Sequence, residues 1–225
     1  MDLIYILDDE AGKEVLHVRG DLYKYLIKVR RHKEGDELKF RARENIEMLH
    51  RYRLDNIESR TITLSLISSK TEEVKSKNSL HIGWCVIDVK SIEKVLPSLC
   101  EIGVDKISFI ICERSQKNFK LDFKRFERII EASMQQSGRS SFIEFDIYKN
   151  IKDFIDKFPD TKVFDFCEKS LEESSDFKRV LIGCEGGFSS DEQKLFSSLE
   201  SFRLNTPMVL RSESAVMAVA SKILL

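Results

Sequence analysis

From Leu80 to the end of the chain, short apolar runs alternate with segments whose apolar residues fall at helical spacing. His81–Asp88 (HIGWCVID) and Lys106–Cys112 (KISFIIC) are continuous apolar runs of the buried-strand type. Between them Val95, Leu96, Leu99 and Ile102 line one helical face, and Gly103 marks a C-cap. A longer helix carries the stripe Phe123, Phe126, Ile129, Ile130, Ser133 and Met134, and the polar QQSGRS closes it. IEFDIY, KVFDFC and VLIGC read as further short strands. SSDEQKLFSSLE reads as a helix capped by Ser189 or Ser190 with Glu192 behind. A short strand around Phe202–Leu204 and a last helix from Ser212 complete the series. This alternation predicts a mostly parallel sheet with helices on both faces. Ligands of such sheets bind outside the carboxyl ends of the strands.

Residues 1–70 have another rhythm. LKFRAREN, EMLHRYRLDNI and TITLSLISS alternate as strands do, with turn residues such as Glu34-Gly35-Asp36 between elements. Lys70–Ser79 (KTEEVKSKNS) is polar and reads as a linker. The expected division is a β domain over 1–70, a linker over 71–79 and an α/β domain over 80–225. No internal repeat or low-complexity segment occurs.

Charge separates the two parts. Over the whole chain 37 Lys and Arg balance 38 Asp and Glu. Leu16–Arg60, however, holds twelve Lys or Arg against eight Asp or Glu, and three of the four histidines, His17, His32 and His50. Such a stretch serves a phosphate backbone or merely a solvated face. Other classes are excluded more firmly. No run of about 18 apolar residues is present to span a membrane. The N-terminus, MDLIYILDDE, has no basic region of the secretory kind. Five scattered cysteines without a CxxC pair disfavour both a disulfide scaffold and a zinc ribbon, and the histidines are not spaced as metal ligands. The expectation is a cytoplasmic protein with no membrane partner and no metal.

Four short stretches carry candidate chemistry. Val180–Ser189 (VLIGCEGGFS) places Gly183, Gly186 and Gly187 between an apolar strand and a capped helix, where backbone lies open to a ligand. The pattern is neither GxGxxG nor a P-loop. Leu204–Ala215 (LNTPMVLRSESA) leads a strand end into the last helix, which Ser212 or Ser214 can cap. Glu113-Arg114-Ser115 and Gln135–Arg139 each hold an arginine in a polar setting, suited to phosphate or to developing negative charge. Cys184 sits in the glycine loop, but no histidine follows His81 to serve it as a base; it reads as a small apolar residue lining the turn.

Taken in order, LIKVRRHKEGDELKF, EKVLPSLCEIGVDKI, ERS, EASMQQSGR, LIGCEGGFSSDE and LNTPMVLRSESAVMA resemble the RsmE family of the SPOUT superfamily. These are ribosomal RNA methyltransferases acting on uridine N3 of the small-subunit (16S) RNA. The resemblance covers nearly the whole chain. Two positions depart from the pattern: Cys184 stands where the family usually has proline, and Asn205 where it usually has glycine. Asparagine tolerates left-handed backbone, so Asn205 is expected to stand in.

The resemblance implies a small N-terminal PUA-like β-barrel and a C-terminal α/β domain with a deep trefoil knot. It implies S-adenosylmethionine bound against Leu181, Ile182, Gly183, Glu185, Gly186, Gly187, Leu204, Asn205, Val209 and Leu210. It also implies a homodimer with its active site near the subunit interface. The partner would be 16S rRNA or the small ribosomal subunit; the basic excess of Leu16–Arg60 offers Arg19, Lys28, Arg30 and Arg31 to hold it. Uridine N3 carries a proton at neutral pH, so an arginine near O2 or O4 would favour the anion that must form. Arg114, Arg139 and Arg211 are the candidates. Glu213 is a carboxylate for the proton or for orienting an arginine, and the residues leave that choice open. The last helix is apolar nearly all round, at Val216, Met217, Val219, Ala220, Ile223 and Leu224, and is expected to be buried. Other readings are a SPOUT enzyme with a different RNA target, a noncatalytic RNA-binding protein, or a Rossmann-type nucleotide enzyme.

Overall fold

The computed structural model describes residues 3–8, 10–116, 119–171 and 177–225. The chain divides into two compact units, residues 1–75 with 134–141, and residues 76–133 with 142–225. The division falls near the polar 70–79 stretch, but the end of one long helix and the turn after it belong with the first unit. Thr71 is still in a strand.

The first unit is built on a five-stranded sheet. Its strands are β1 (Ile4–Leu7), β2 (Val15–Arg19), β3 (Glu37–Ala42), β4 (Asn45–Ile57) and β5 (Thr61–Thr71), in spatial order β1-β3-β4-β5-β2. β1 runs parallel to β3 and the other pairs are antiparallel. Alternation sets the core: Leu16 and Val18 of β2 point inward between exposed neighbours. They meet Phe40, Tyr52, Leu54, Ile62 and Leu64. The buried Tyr52 hydroxyl accepts from Gly12 N–H and donates to Lys13 O, both at 2.8 Å, so its burial leaves no polar group unpaired. Register shifts at Phe40/Ala42, Arg51/Tyr52 and Leu54/Asn56 bend the long β3–β4–β5 ladder.

Between β2 and β3 a short helix α1 (Gly20–Tyr23) continues as a π-helical turn over Lys24–Val29. Its apolar residues show no helical spacing. Just beyond it Arg31 takes φ 60°, the single non-glycine residue with positive φ among those described. Asn205 therefore does not take the left-handed conformation expected of it.

The second unit is a six-stranded sheet in which every pairing is parallel. Its strands are β6 (His81–Cys85), β7 (Lys106–Ile110), β8 (Glu144–Tyr148), β9 (Lys162–Phe164), β10 (Arg179–Ile182) and β11 (Ser201–Phe202), in the order β11-β9-β10-β6-β7-β8. β6 is buried at all of its residues, as a central parallel strand covered on both faces must be. The helices are α2 (Val89–Ile102), α3 (Phe123–Ser137), α4 (Ile151–Lys157), α5 (Ser190–Leu195) and α6 (Ser212–Leu224). Gly103 closes α2 at φ 107°. The Ser189–Glu192 capping box starts α5, with Ser189 rather than Ser190 as the cap. The last strand is only Ser201–Phe202, shorter than Phe202–Leu204 predicts. α6 packs on α2 and buries Ala215, Val216, Val219 and Ala220.

Strand order creates one special place. From β6 the chain moves outward through β7 to β8; from β10 it moves the other way, to β11. The loops leaving β6 and β10, adjacent in the sheet, therefore diverge, and a crevice opens at their carboxyl ends.

Candidate active site

The glycine loop after β10 is a tight turn closed by Gly187 N–H to Cys184 O at 2.9 Å. Gly187 sits at φ 66°, where a side chain is strained. Where the family's proline would fix the backbone, the Cys184 sulfur is packed 3.5 Å from that of Cys112. The adjacent Cys112 sulfur and burial push the Cys184 thiol up, and burial does the same to Cys85. The Cys184 sulfur packs against Cys112 and lies 3.6 Å from Gly187 O, which makes it a wedge within the turn.

Five hydrogen bonds, in three groups, tie the separate motifs together. Arg114 Nη1 donates to Gly186 O at 2.7 Å. Glu113 N–H donates to Glu192 Oε1 at 2.8 Å, while Glu192 Oε2 accepts from Ser189 N–H at 2.8 Å. Ser212 Oγ donates to Gly183 O at 2.6 Å and accepts from Trp84 Nε1–H at 2.8 Å. Ser212 is thus not the cap of α6: that position is Arg211, with no side-chain cap bond. Its hydroxyl instead joins β6, the glycine loop and the first turn of α6. Sequence spacing hides this, because Trp84 and Ser212 are 128 residues apart.

Two cavities share the loop. The first, about 230 Å³, is lined by Ile182–Phe188 on one side and by Leu204, Thr206 and Met208–Leu210 on the other. Phe164, Asp165 and Phe166, at the end of β9, complete it. The second, about 370 Å³, lies at the β6/β10 crevice. It is lined by Val86, Ile87 and Asp88 after β6, Arg114 and Gln116 after β7, and Cys184–Gly186 after β10.

Of the residues expected at a cofactor, Ile182, Gly183, Glu185, Gly186, Gly187, Leu204, Val209 and Leu210 line the first cavity. Leu181 does not: it is wholly buried inside β10. Asn205 is exposed and also outside it, with Thr206 lining in its place. Phe164, the last residue of β9, and Asp165 and Phe166 after it are lining residues outside the sequence motifs. The signal was available in KVFDFC, whose two phenylalanines lie at a strand end.

The four residues proposed for chemistry are not gathered into one place. Arg114 lines the second cavity. Arg211 is exposed, and neither it nor Glu213 lines either cavity. Glu213 Oε2 is buried without a hydrogen-bond partner among the described residues. Arg139 belongs to the first unit, is 5% exposed, and donates from Nε to Ser141 O at 2.8 Å and Oγ at 3.1 Å. It holds the turn after α3 and is thereby withdrawn from the phosphate or charge-stabilising role expected of it.

In the first unit Arg19, Lys28, Arg30 and Arg31 are all exposed. The histidines of the basic stretch serve its own packing. His17 meets Thr63 at 3.2 Å, His32 meets Tyr5 and Asp36 at 3.1 Å, and His50 meets Ser69 at 2.8 Å. Burial lowers the His50 pKa and keeps it neutral.

A parallel sheet with a glycine turn at its carboxyl edge matches a known class. A family model described as an RNA methyltransferase domain matches residues 74–224. The chain is 36% identical over 215 residues to ribosomal RNA small subunit methyltransferase E of Helicobacter pylori (strain 26695), covering 94% of this chain and 95% of that one. It is 27% identical to ribosomal RNA small subunit methyltransferase E 2 of Borreliella burgdorferi, over 94% and 92%. The fold matches ribosomal RNA small subunit methyltransferase E of Neisseria gonorrhoeae bound to S-adenosyl methionine, with a TM-score of 0.78, 18% identity, and 98% and 96% of the two chains covered. A Legionella pneumophila protein solved with the cofactor SAM matches at 0.80, with 19% identity over 99% and 97%. The chain belongs to the ribosomal RNA small subunit methyltransferase E family. Among the described residues no helix is long and apolar enough to cross a membrane.

Proposed function

We propose that this chain methylates N3 of a uridine in 16S ribosomal RNA, using S-adenosylmethionine held in the first cavity. The observation that carries the reading is that cavity's construction. A purine and a methionine-derived chain need an apolar slot edged by peptide groups, and this slot combines Phe164, Phe166 and Met208 with the backbone of two loops. Asp165 and Glu185 stand beside it for hydroxyl or ammonium groups. Gly187, at φ 66°, has no heavy atom within 4 Å of where a Cβ would sit, so the loop leaves its surface open to a ligand.

S-adenosylmethionine supplies an electrophilic methyl group on a sulfonium. The chain supplies position and electrostatics. Arg114, anchored on Gly186 O, presents its remaining N–H donors to a uracil oxygen and stabilises the charge left when N3 loses its proton. Arg211 and Glu213, at the start of α6, are assigned to RNA or to a second subunit, because neither lines the first or the second cavity. The reading includes a homodimer, a trefoil-knotted C-terminal domain, a PUA-like N-terminal domain that holds RNA through Arg19, Lys28, Arg30 and Arg31, and a cytoplasmic location.

Calorimetry with S-adenosylmethionine tests the cofactor. Mass mapping of small-subunit RNA from a strain lacking the gene, before and after incubation with the protein, tests the product. N3-methyluridine is expected to appear at one position. No cofactor binding, or a methyl group on another base or atom, overturns the reading.

A further inference from the structure

We infer that the second cavity is the compartment for the target pyrimidine, and that Asp88 is the group that receives its N3 proton. The inference rests on the uridine-N3 reading above. Position is the first argument. The acceptor atom must reach the methyl group from the side opposite the leaving sulfur, so base and cofactor need neighbouring compartments. The second cavity shares the Cys184–Gly186 wall with the first. It also opens at the β6/β10 crevice, where open parallel sheets place ligands.

Chemistry is the second argument. The uracil edge presents an acceptor, a donor and an acceptor: O2, N3–H and O4. A matching site needs a carboxylate flanked by donors. The loop after β6 supplies Asp88, and the loop after β7 supplies the Arg114 guanidinium and the Gln116 amide. Val86 and Ile87 give the same cavity an apolar wall for a flat ring. Cytosine fits worse, since its N3 carries no proton for a carboxylate to accept.

Two other carboxylates are poorer candidates. Glu213 lines neither cavity. Glu185 lies on the shared wall with no hydrogen bond holding its side chain among the described residues. Asp88 is held: Oδ2 accepts from Ser91 N–H at 3.0 Å as the N-cap of α2, while Oδ1 has no partner among the described residues. A carboxylate with one oxygen fixed and one open is pre-oriented to accept a proton. In the step, the N3–H bond breaks and the proton passes to Asp88 Oδ1. The electron pair stays on N3, shared with O2 and O4 beside Arg114, and is the pair that takes up the methyl group. Asp88 then returns its proton to water.

Capping is the competing role, and Asp88→Asn separates the two, because asparagine caps a helix about as well as aspartate. The variant is expected to keep its melting temperature and its S-adenosylmethionine affinity while single-turnover methylation of small-subunit RNA falls by roughly 10²-fold or more. A second readout needs no cofactor: in NMR titrations the wild type is expected to bind uridine 5′-monophosphate more tightly than cytidine 5′-monophosphate, and Asp88→Asn to lose that preference. Gln116→Leu, which leaves the cap untouched, is expected to weaken uridine monophosphate binding with cofactor affinity unchanged. If the wild type makes N3-methyluridine while Asp88→Asn keeps both its rate and its preference, the inference fails and the uridine-N3 reading stands. If the wild type methylates some other atom, the reading fails and takes the inference with it.

Discussion

The two cavities share one loop and are built from different materials. The first is made of peptide groups and apolar side chains drawn from β9, β10 and the segment before α6. The second is made of side-chain charge and amide groups from the loops after β6 and β7. Glycines in the shared loop serve both sides differently. Gly187 supplies a backbone angle, φ 66°. Gly186 supplies room on the other side: a Cβ there would lie 3.3 Å from Arg114 Cδ and 3.4 Å from Arg114 Cβ. A loop three residues thick thus divides the binding of a cofactor from the reading of a base.

Mutations on the two faces of the loop should separate affinity from turnover, and these are the largest effects expected. Arg114→Ala removes the guanidinium from the second cavity and should lower single-turnover methylation by about 10²–10³-fold, with S-adenosylmethionine affinity changed only slightly. Gly187→Val should do the opposite. Forcing a β-branched residue to positive φ costs about 1–3 kcal/mol, or roughly tenfold or more in cofactor affinity if the loop moves to relieve it. Calorimetry and single-turnover kinetics on both variants check the pair. Equal losses in both measurements for both variants would break the division.

Ser212 is where the two compartments are braced together, so its loss should be felt in both. Ser212→Ala leaves the buried Trp84 Nε1–H and the half-buried Gly183 O without their shared partner. The expected cost is about 2–4 kcal/mol of stability, read as a lower urea midpoint. Trp84 is the single tryptophan of the chain, so its emission should report the broken bond directly. Unchanged emission and midpoint would show that the brace is not needed.

Legibility from sequence follows the same division. Glycine and proline leave a mark in a sequence, so the backbone-built cavity showed itself in VLIGCEGGFS and LNTPMVL. The side-chain-built cavity left almost none. Asp88 closes an apolar strand and reads as an ordinary helix cap; Gln116 is one polar residue in a loop. Only the strand order brings them together. The parallel sheet was readable because its strands are continuous apolar runs, whereas the π-helical turn over Lys24–Val29 was not, since its hydrogen bonds step by five residues and its apolar residues make no helical stripe. Arg139 misled for a related reason: polar neighbours such as Ser137 and Ser141 resemble a solvated loop and are in fact its hydrogen-bond partners.

The two ends of β6 give a further contrast. Its carboxyl end leads to the second cavity; its amino end holds His81. There Nδ1 accepts from Arg179 Nε–H at 2.9 Å, which leaves Nε2–H to donate to Ser108 Oγ at 2.6 Å. Burial, reinforced by the charges of Arg179 and Lys106 against those of Asp146 and Asp160, lowers the His81 pKa to about 4. The folded protein therefore keeps His81 neutral where the unfolded chain takes up a proton. The stability due to this group is complete above about pH 6.5 and is lost as pH falls towards 4, by about 3 kcal/mol at full extent. Urea midpoints of the wild type and His81→Gln should diverge across that window, with cofactor affinity at pH 7.5 the same in both. A His81→Gln curve as steep as the wild type's would remove His81 as the cause.

The smallest effect belongs to the first unit, and it should touch neither cavity. Arg30 and Arg31 are exposed beyond the π-helical turn, and Arg31 holds a left-handed backbone at φ 60°. If both meet RNA phosphates, changing the two to glutamine should weaken binding at low salt and flatten its salt dependence. Each lost contact reduces the slope of log affinity against log salt by about 0.7–0.9. S-adenosylmethionine affinity should be unaltered, because the residues that line the first cavity all come from the second unit. Filter binding of small-subunit RNA over a series of salt concentrations measures the slope. An unchanged slope would remove Arg30 and Arg31 as phosphate contacts and leave them part of a solvated face.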